Sequence, residues 1–174
     1  MINKTVEKAI NEQIKLEEHS SRIYLAMASW CETNGLPGAA AYLFKQTEEE
    51  RFHLRKFINY QNDRGGFAKL QTLDAPEFEF KSLNDLFEKV LVHEELITSS
   101  ISNLYEIAVN EKDFTTANFL QWFITEQIEE ESTFRTIIDK IKLAGTEKGG
   151  YFLMDKELAA MAAAKIVPSA DTVN

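Results

Sequence analysis

Glycine and proline break this chain at only a few places, and the breaks outline four long helices. The 174 residues contain seven Gly and three Pro. Between the breaks, apolar residues recur every three to four positions, which is the period of an amphipathic helix. The pattern predicts four long helices and a short Ala-rich fifth helix, over about 5–33, 37–64, 82–110, 114–143 and 151–165.

The connections limit how these helices can be arranged. Short links follow the first and third helices, and a short link makes its two neighbours antiparallel. Residues 65–82 have no helical period and contain Pro76, so they form a long connection. Because this link can cross the bundle, helices two and three can run parallel. The sequence predicts one all-α domain over 1–174, with a four-helix bundle at about 5–143, one long crossover and a fifth C-terminal helix.

Composition and charge limit the possible partners. Asp and Glu number 28 against 19 Lys and Arg, which gives a net charge of −9. Phosphate binding needs a basic face, so nucleic acid is not an expected partner. No segment approaches the ~18 apolar residues of a membrane span, and the first residues lack the apolar core of a signal peptide. With Cys31 as the single cysteine, we expect a reducing, cytoplasmic location and no membrane association.

Each long helix carries a glutamate inside its apolar face when residues are placed at about 100° intervals. These glutamates are Glu17, Glu50, Glu94 and Glu130. His53 lies one turn after the second of them, and Gln127 one turn before the fourth. Burying four carboxylates without cations would be prohibitively costly. No Lys or Arg lies centrally in these faces, so a bound multivalent cation is the predicted compensation.

The spacing also places these residues at one height in the bundle. Glu17 and His53 are equally far in sequence from the first turn, and Glu94 and Glu130 are equally far from the second. Residues equidistant from an antiparallel turn lie level with one another. A Glu from each of two helices, with an i, i+3 pair from each of the other two, matches a di-iron carboxylate site.

These residues resemble those of the ferritins, and specifically the bacterial non-haem ferritins, over nearly the whole chain. The matching residues are Glu17, Tyr24, Glu50, His53, Glu94, Gln127 and Glu130. The resemblance implies that Glu17, Glu50 and His53 hold one iron. It also implies that Glu50 bridges to a second iron, which Glu94 and Glu130 complete.

Further roles around the two irons are implied by the same resemblance. Tyr24 would be an electron donor or hydrogen-bond partner beside the centre. Gln127 would be a weak ligand or the neighbour of a ligand. A third iron site on the way to a central cavity would be formed by Glu49, Glu126, Glu129 and Glu130.

The chain differs from two related families, the bacterioferritins and the rubrerythrins. Bacterioferritins place a haem-ligating Met just after the bridging glutamate, where this chain has Arg51, so we expect no haem. Rubrerythrins and bacterioferritins carry two Glu-x-x-His pairs, whereas the second pair here is Gln127 and Glu130. We interpret His19 and His93 as surface or hydrogen-bonded residues rather than ligands.

The implied function is iron storage with ferroxidase activity. Fe(II) would be oxidised by O₂ or hydrogen peroxide, and ferric oxyhydroxide would be deposited inside a hollow homo-oligomeric shell, a 24-mer. Two other interpretations stay open. One is a di-iron carboxylate oxidoreductase acting on a small substrate, and the other is a structural bundle that only assembles.

The apolar residues of the fifth helix also indicate that copies of the chain assemble. Phe152, Leu153, Leu158, Met161 and Ile166 make it too apolar to lie free in water. A single four-helix bundle is expected to leave no open seam for it. The fifth helix is therefore expected to pack against copies of itself.

Overall fold

The computed structural model describes residues 2–145 and 147–167, with residue 148 described by its backbone alone. Within these ranges the chain forms five helices and no strands: α1 Lys4–Thr33, α2 Pro37–Asp63, α3 Leu83–Asn110, α4 Phe114–Ala144 and α5 Lys148–Ala164. The four long helices agree with prediction to within one residue, whereas α5 begins three residues earlier than predicted. From Pro168 onward the sequence predicts a polar tail, and these residues lie outside the described ranges. None of these five helices has an apolar stretch long enough to cross a membrane.

Side-chain caps and glycines set the ends of the long helices. The side chains of Asn3, Ser82 and Asp113 each accept a hydrogen bond from a backbone N–H at the start of α1, α3 or α4. Such caps satisfy N–H groups that have no partner inside the helix. Gly35 and Gly65 follow α1 and α2 with a φ of 74°, a left-handed conformation that glycine adopts without strain.

The long crossover is fastened to the first helix. The connection after α2 has no regular secondary structure over residues 66–80. Oε1 of Glu7 accepts a hydrogen bond from the backbone N–H of Phe67 at 3.1 Å. The amide of Asn11 bonds the carbonyl of Phe67 and the N–H of Lys69, at 3.2 Å and 2.7 Å. These contacts hold the crossover against α1, and the all-α bundle with one crossover is confirmed.

A polar layer divides the core of the bundle into two apolar parts. One part includes Tyr24 and Phe134, and the other includes Ile14 and Phe123. The polar layer falls between them on every long helix. Its carboxylates, one to each of α1 to α4, are Glu17, Glu50, Glu94 and Glu130. The bundle therefore buries a carboxylate near the middle of each long helix, between two apolar cores.

α5 packs against its own bundle, so the expectation that a single bundle has no place for it is wrong. The residues that α5 buries are Met154, Leu158 and Ala162. Oδ1 of Asp155 accepts a hydrogen bond from the N–H of Ala39 at 2.8 Å, in the first turn of α2. A Cβ on Gly38 would collide with the backbone carbonyl of Asp155. The missing side chain at Gly38 is what lets the two helices approach, which a helical wheel of α5 alone does not reveal.

Candidate metal centre

Glu17, Glu50 and His53 form a triad of buried ligand atoms. The structure brings one atom from each to within 4.8 Å of the others. Nδ1 of His53 lies 3.7 Å from Oε2 of Glu17 and 3.7 Å from Oε2 of Glu50. The imidazole is on α2 and so is Glu50, whereas Glu17 faces them from α1. Two carboxylates and one imidazole suit a divalent transition-metal ion.

Glu94 approaches this triad from α3, but its oxygens are engaged by two other side chains. The hydroxyl of Tyr24 donates a hydrogen bond to Oε1 of Glu94. Nε2 of Gln127 donates to Oε2 of Glu94 at 3.0 Å. In the described ranges, Glu94 belongs to neither group of three ligand atoms that lie within 4.8 Å of one another. Tyr24 and Gln127 thus both contact Glu94, the residue for which the resemblance implies a ligand role.

A second group of carboxylates lies between α2 and α4. Glu49, Glu126 and Glu130 each place an oxygen within 4.8 Å of the others, and we call them the α2–α4 cluster. Oε2 of Glu130 also accepts a hydrogen bond from Nε2 of Gln46 at 3.1 Å. Glu129 is exposed and lies outside the cluster. Three of the four predicted third-site residues therefore come together, and Glu129 lies beside them on the exposed side of α4.

Residues 7–144 match the ferritin-like domain family. The chain belongs to the ferritin family. A bacterial non-haem ferritin of Campylobacter jejuni is 47% identical over 156 residues, which cover 90% of this chain and 93% of the relative. A bacterial non-haem ferritin of Escherichia coli O6:H1 is 39% identical, with 92% of this chain and 98% of the relative covered.

Solved ferritins share the fold. An open-pore ferritin from the archaeon Archaeoglobus fulgidus superposes with a TM-score of 0.89 at 39% identity, and the match covers 91% of this chain and 98% of that one. The resemblance to bacterial non-haem ferritins that the sequence suggested is confirmed. Membership of the ferritin family supports iron storage as the role of the protein and iron as the metal it binds.

Burial controls the charge of the ferritin carboxylates when no metal is bound. Desolvation, together with repulsion from Glu50, raises the pKa of Glu17 to about 8. Desolvation also raises the pKa values of Glu50, Glu94 and Glu130. Lys165 opposes the shift at Glu130. Because a raised pKa favours the protonated acid, a cation that binds here must release protons as it enters.

Lys165 is a residue of the site that sequence reasoning missed. Its Nζ forms an ion pair with Oε2 of Glu49 and lies 3.8 Å from Oε1 of Glu130. The expectation that no Lys or Arg lies centrally in the apolar faces of the four long helices did not consider α5, from whose end Lys165 reaches the buried acidic residues. The physical reason is that α5 docks along α2 and carries Lys165 to the α2–α4 cluster.

Two glutamines were also missed, although the sequence carried a signal for them. Nε2 of Gln13 donates to Oε1 of Glu17 at 2.7 Å, and Gln46 donates to Glu130 as described above. Gln13 precedes Glu17 by one helical turn, and Gln46 precedes Glu50 by one turn, so each faces the same way as a candidate ligand. Buried amides next to buried carboxylates are their natural hydrogen-bond donors.

Two further rings, those of His93 and Trp122, lie outside the triad. His93 has the hydrogen-bonded role that the sequence indicated, with Nε2 2.7 Å from Oγ of Ser20. Burial lowers the pKa of His93 to about 4, which keeps its ring neutral. The ring of Trp122 packs edge-on against His53, with centroids 5.4 Å apart. His53 is therefore held by aromatic packing on one side while Nδ1 faces the carboxylates.

Proposed function

We propose that this ferritin stores iron and is a ferroxidase that oxidises Fe(II) at a dinuclear centre within each chain. The observation that carries the proposal is the buried triad of Glu17, Glu50 and His53. Glu94 and Glu130 lie in the same polar layer and would complete the second iron position. This assignment of ligands follows the resemblance to bacterial non-haem ferritins.

The balance of buried charge supports a multivalent cation. Besides Glu7, which pairs with Lys4 near the start of α1, five carboxylates are less than a tenth exposed: Glu17, Glu49, Glu50, Glu94 and Glu130. Across the described part of the chain, Lys165 is the one ammonium group paired with any of them, and it contacts the two on the α2–α4 side. Glu17 and Glu50 have His53 between them instead. Leaving this many anions buried is costly unless cations enter.

The proposed chemistry follows from the ligand set. Carboxylates and one imidazole are hard-to-borderline ligands that suit both oxidation states of iron. Two Fe²⁺ ions would each give one electron to O₂, which takes up two protons and becomes hydrogen peroxide. Peroxide can accept two electrons and two protons in the same way to give water. Each Fe³⁺ would then hydrolyse to oxyhydroxide mineral and release three protons.

Tyr24 is the proposed electron donor or hydrogen-bond partner in this reaction. Its hydroxyl touches Glu94, and burial raises the Tyr24 pKa well above its usual value, so the phenol keeps its proton. We propose the α2–α4 cluster, together with the exposed Glu129, as the third iron site. Glu126 is half-buried and would link the buried centre to the exposed side of α4.

Assembly into a hollow homo-oligomer, a 24-mer, belongs to the same proposal. After α5 has docked on its own bundle, Phe152, Leu153 and Ile166 remain 71%, 62% and 89% exposed. Apolar side chains this exposed support further burial against other copies of the chain. A cytoplasmic location, the absence of haem and a single domain over 1–174 remain predictions.

A di-iron oxidoreductase acting on a small substrate would need a cavity that opens onto the carboxylates. A groove of about 270 Å³ between α3 and α4 reaches Gln127 and is bordered by Thr98 and Glu131. None of the buried carboxylates at the centre lines this groove. The groove therefore supports this alternative less well than the polar layer supports iron oxidation.

The experiment that tests the proposal compares two neighbouring glutamates of α2. Stopped-flow absorbance would follow oxidation of two Fe(II) per chain in the wild type, Glu50→Ala and Glu48→Ala. Glu48 is exposed and pairs with Arg51 at 2.6 Å, so it is a matched control outside the centre. We expect a fast phase that Glu50→Ala abolishes and Glu48→Ala retains. A wild type that oxidises Fe(II) no faster than buffer contradicts the proposal.

A further inference from the structure

The ammonium group of Lys165 lies where a cation bound by the α2–α4 cluster would lie. It forms an ion pair with Glu49 and approaches Glu130 to 3.8 Å. The Lys165 side chain is only 20% exposed, and those of Glu49 and Glu130 are 9% and 5% exposed. The contact is therefore an internal one, formed away from most of the solvent that weakens surface ion pairs.

The docking of α5 holds Lys165 in this place. Lys165 directly follows the last residue of α5, and its backbone N–H donates a hydrogen bond to the carbonyl of Met161 at 3.0 Å. Leu158 is fully buried against the bundle, and Asp155 bonds the first turn of α2. The centroid of the Tyr42 ring lies 5.9 Å from the ammonium nitrogen. These contacts of α5 hold the Lys165 ammonium group beside the α2–α4 cluster.

We infer that Lys165 is a built-in cation of the α2–α4 cluster, which a divalent metal ion must displace in order to bind there. The inference rests on the proposed function, because it takes this cluster to be a metal site. The Lys165 side chain, at the end of α5, competes with the metal ion and so sets the affinity of the cluster for metal.

The same arrangement separates the two groups of ligands. Glu17, Glu50 and His53 are not in contact with Lys165, whereas Glu49 and Glu130 are. A cation that enters the triad meets an imidazole and two carboxyl groups, but a cation that enters the cluster must also move an ammonium group. Lys165 therefore makes metal ions fill the triad first and the cluster second.

Binding of Mn²⁺ under oxygen-free conditions tests this order without any oxidation. Mn²⁺ titrations followed by electron paramagnetic resonance would be made on the wild type, Lys165→Gln and Lys156→Gln. Lys156 is an exposed lysine of α5 and gives the control the same change of charge. Removing a unit charge beside the cluster should raise the affinity of the weaker class of sites roughly tenfold or more. Lys156→Gln should match the wild type.

A further substitution assigns the gain to the cluster. Glu126 belongs to the α2–α4 cluster and not to the triad, so adding Glu126→Gln to Lys165→Gln should remove the gain. If Lys165→Gln binds Mn²⁺ as the wild type does, or the gain survives Glu126→Gln, the inference is overturned. Absence of the tighter class from the wild type would instead contradict the proposed function, so the two failures are distinguishable.

A measurement on the wild-type protein keeps the inference testable if Lys165→Gln folds poorly. An amine-reactive reagent and peptide mass spectrometry would report the labelling of each lysine with and without saturating Mn²⁺. Displacement of the ammonium should increase labelling of Lys165 several-fold and leave Lys156 unchanged. Equal labelling of Lys165 in the two states, at Mn²⁺ concentrations that fill the weaker class, overturns the inference.

Discussion

Nδ1 of His53 lies 3.7 Å from Oε2 of Glu17, although the two residues are on different helices and 36 positions apart. They are level because both are equally far in sequence from the turn at Gly35, so the antiparallel helices α1 and α2 bring them face to face. Oε2 of Glu50 lies at the same distance, 3.7 Å, from the same Nδ1 atom. For this reason we propose His53 as the nitrogen ligand of the centre.

Replacing His53 with alanine should slow the first oxidation of Fe(II) while the fold survives. Loss of the imidazole weakens one metal position and leaves Glu50 in place, so we expect a fall in initial rate of roughly tenfold or more. Stopped-flow oxidation at two Fe(II) per chain measures it. His19→Ala is the control, because His19 belongs to neither the triad nor the α2–α4 cluster. An unchanged rate in His53→Ala would exclude the residue as a ligand.

Replacing Glu49, Glu126 and Glu129 together with alanine should spare the first oxidation. Two of these residues form the α2–α4 cluster with Glu130, and the third is exposed beside it. The triad of Glu17, Glu50 and His53 stays intact in this variant. We expect the fast phase for two Fe(II) per chain to persist and the binding of further iron to fall. Complete loss of the fast phase would place the three glutamates in the primary centre.

The helical period explains why so much of this site could be predicted from the sequence. Glu17, Glu50, Glu94 and Glu130 each interrupt an otherwise apolar face, and a buried carboxylate in such a face is conspicuous. The level of these residues along their helices then followed from their distances in sequence to the two turns. Both arguments need only local structure and antiparallel packing.

What the sequence did not predict depends on tertiary contacts. Lys165 reaches Glu49 only because α5 docks on α2, and that docking depends on the absent side chain of Gly38 and on the cap from Asp155. No periodicity within α5 indicates which bundle face it will meet. Glu49 is only 7% exposed, and its ion-pair partner is Lys165 at the end of this docked helix.

The metal-free protein should lose stability as the pH rises from about 5 to about 8. The Glu17 pKa is raised from 4.5 to about 8, so between these values the folded chain holds a proton that the unfolded chain has released. This contribution to stability is complete below the unfolded pKa and is lost as the pH rises through the folded pKa, at about 1.4 kcal/mol per pH unit for one group.

Thermal unfolding followed by circular dichroism across this pH range measures the effect. Glu17→Gln carries no titratable group at that position and should show a weaker dependence on pH. Saturating Mn²⁺ should reverse the trend, because the ionised carboxylates are then its ligands. Stability of the metal-free protein that rises with pH over the same range would contradict the burial of a protonated Glu17.

Gly38→Ala should weaken the docking of α5. The added methyl group would meet the carbonyl of Asp155 and force the two helices apart. Overpacking of this kind typically costs about 1–3 kcal/mol, which should appear as a lower midpoint of chemical unfolding. Gly149→Ala is the matched control, because a Cβ there has nothing within 4 Å. Equal midpoints for the two variants would show that α5 does not make this contact.

The most direct test of iron storage is the sedimentation of the wild-type protein after aerobic loading with Fe(II). Analytical ultracentrifugation would record protein and iron absorbance in the same boundary. We predict a large closed assembly that carries far more iron than two ions per chain, because the proposed ferroxidase centre would supply iron to a mineral inside the proposed shell. A chain that sediments as a monomer or dimer, with iron no higher than the capacity of its carboxylate sites, would contradict storage whatever its rate of oxidation.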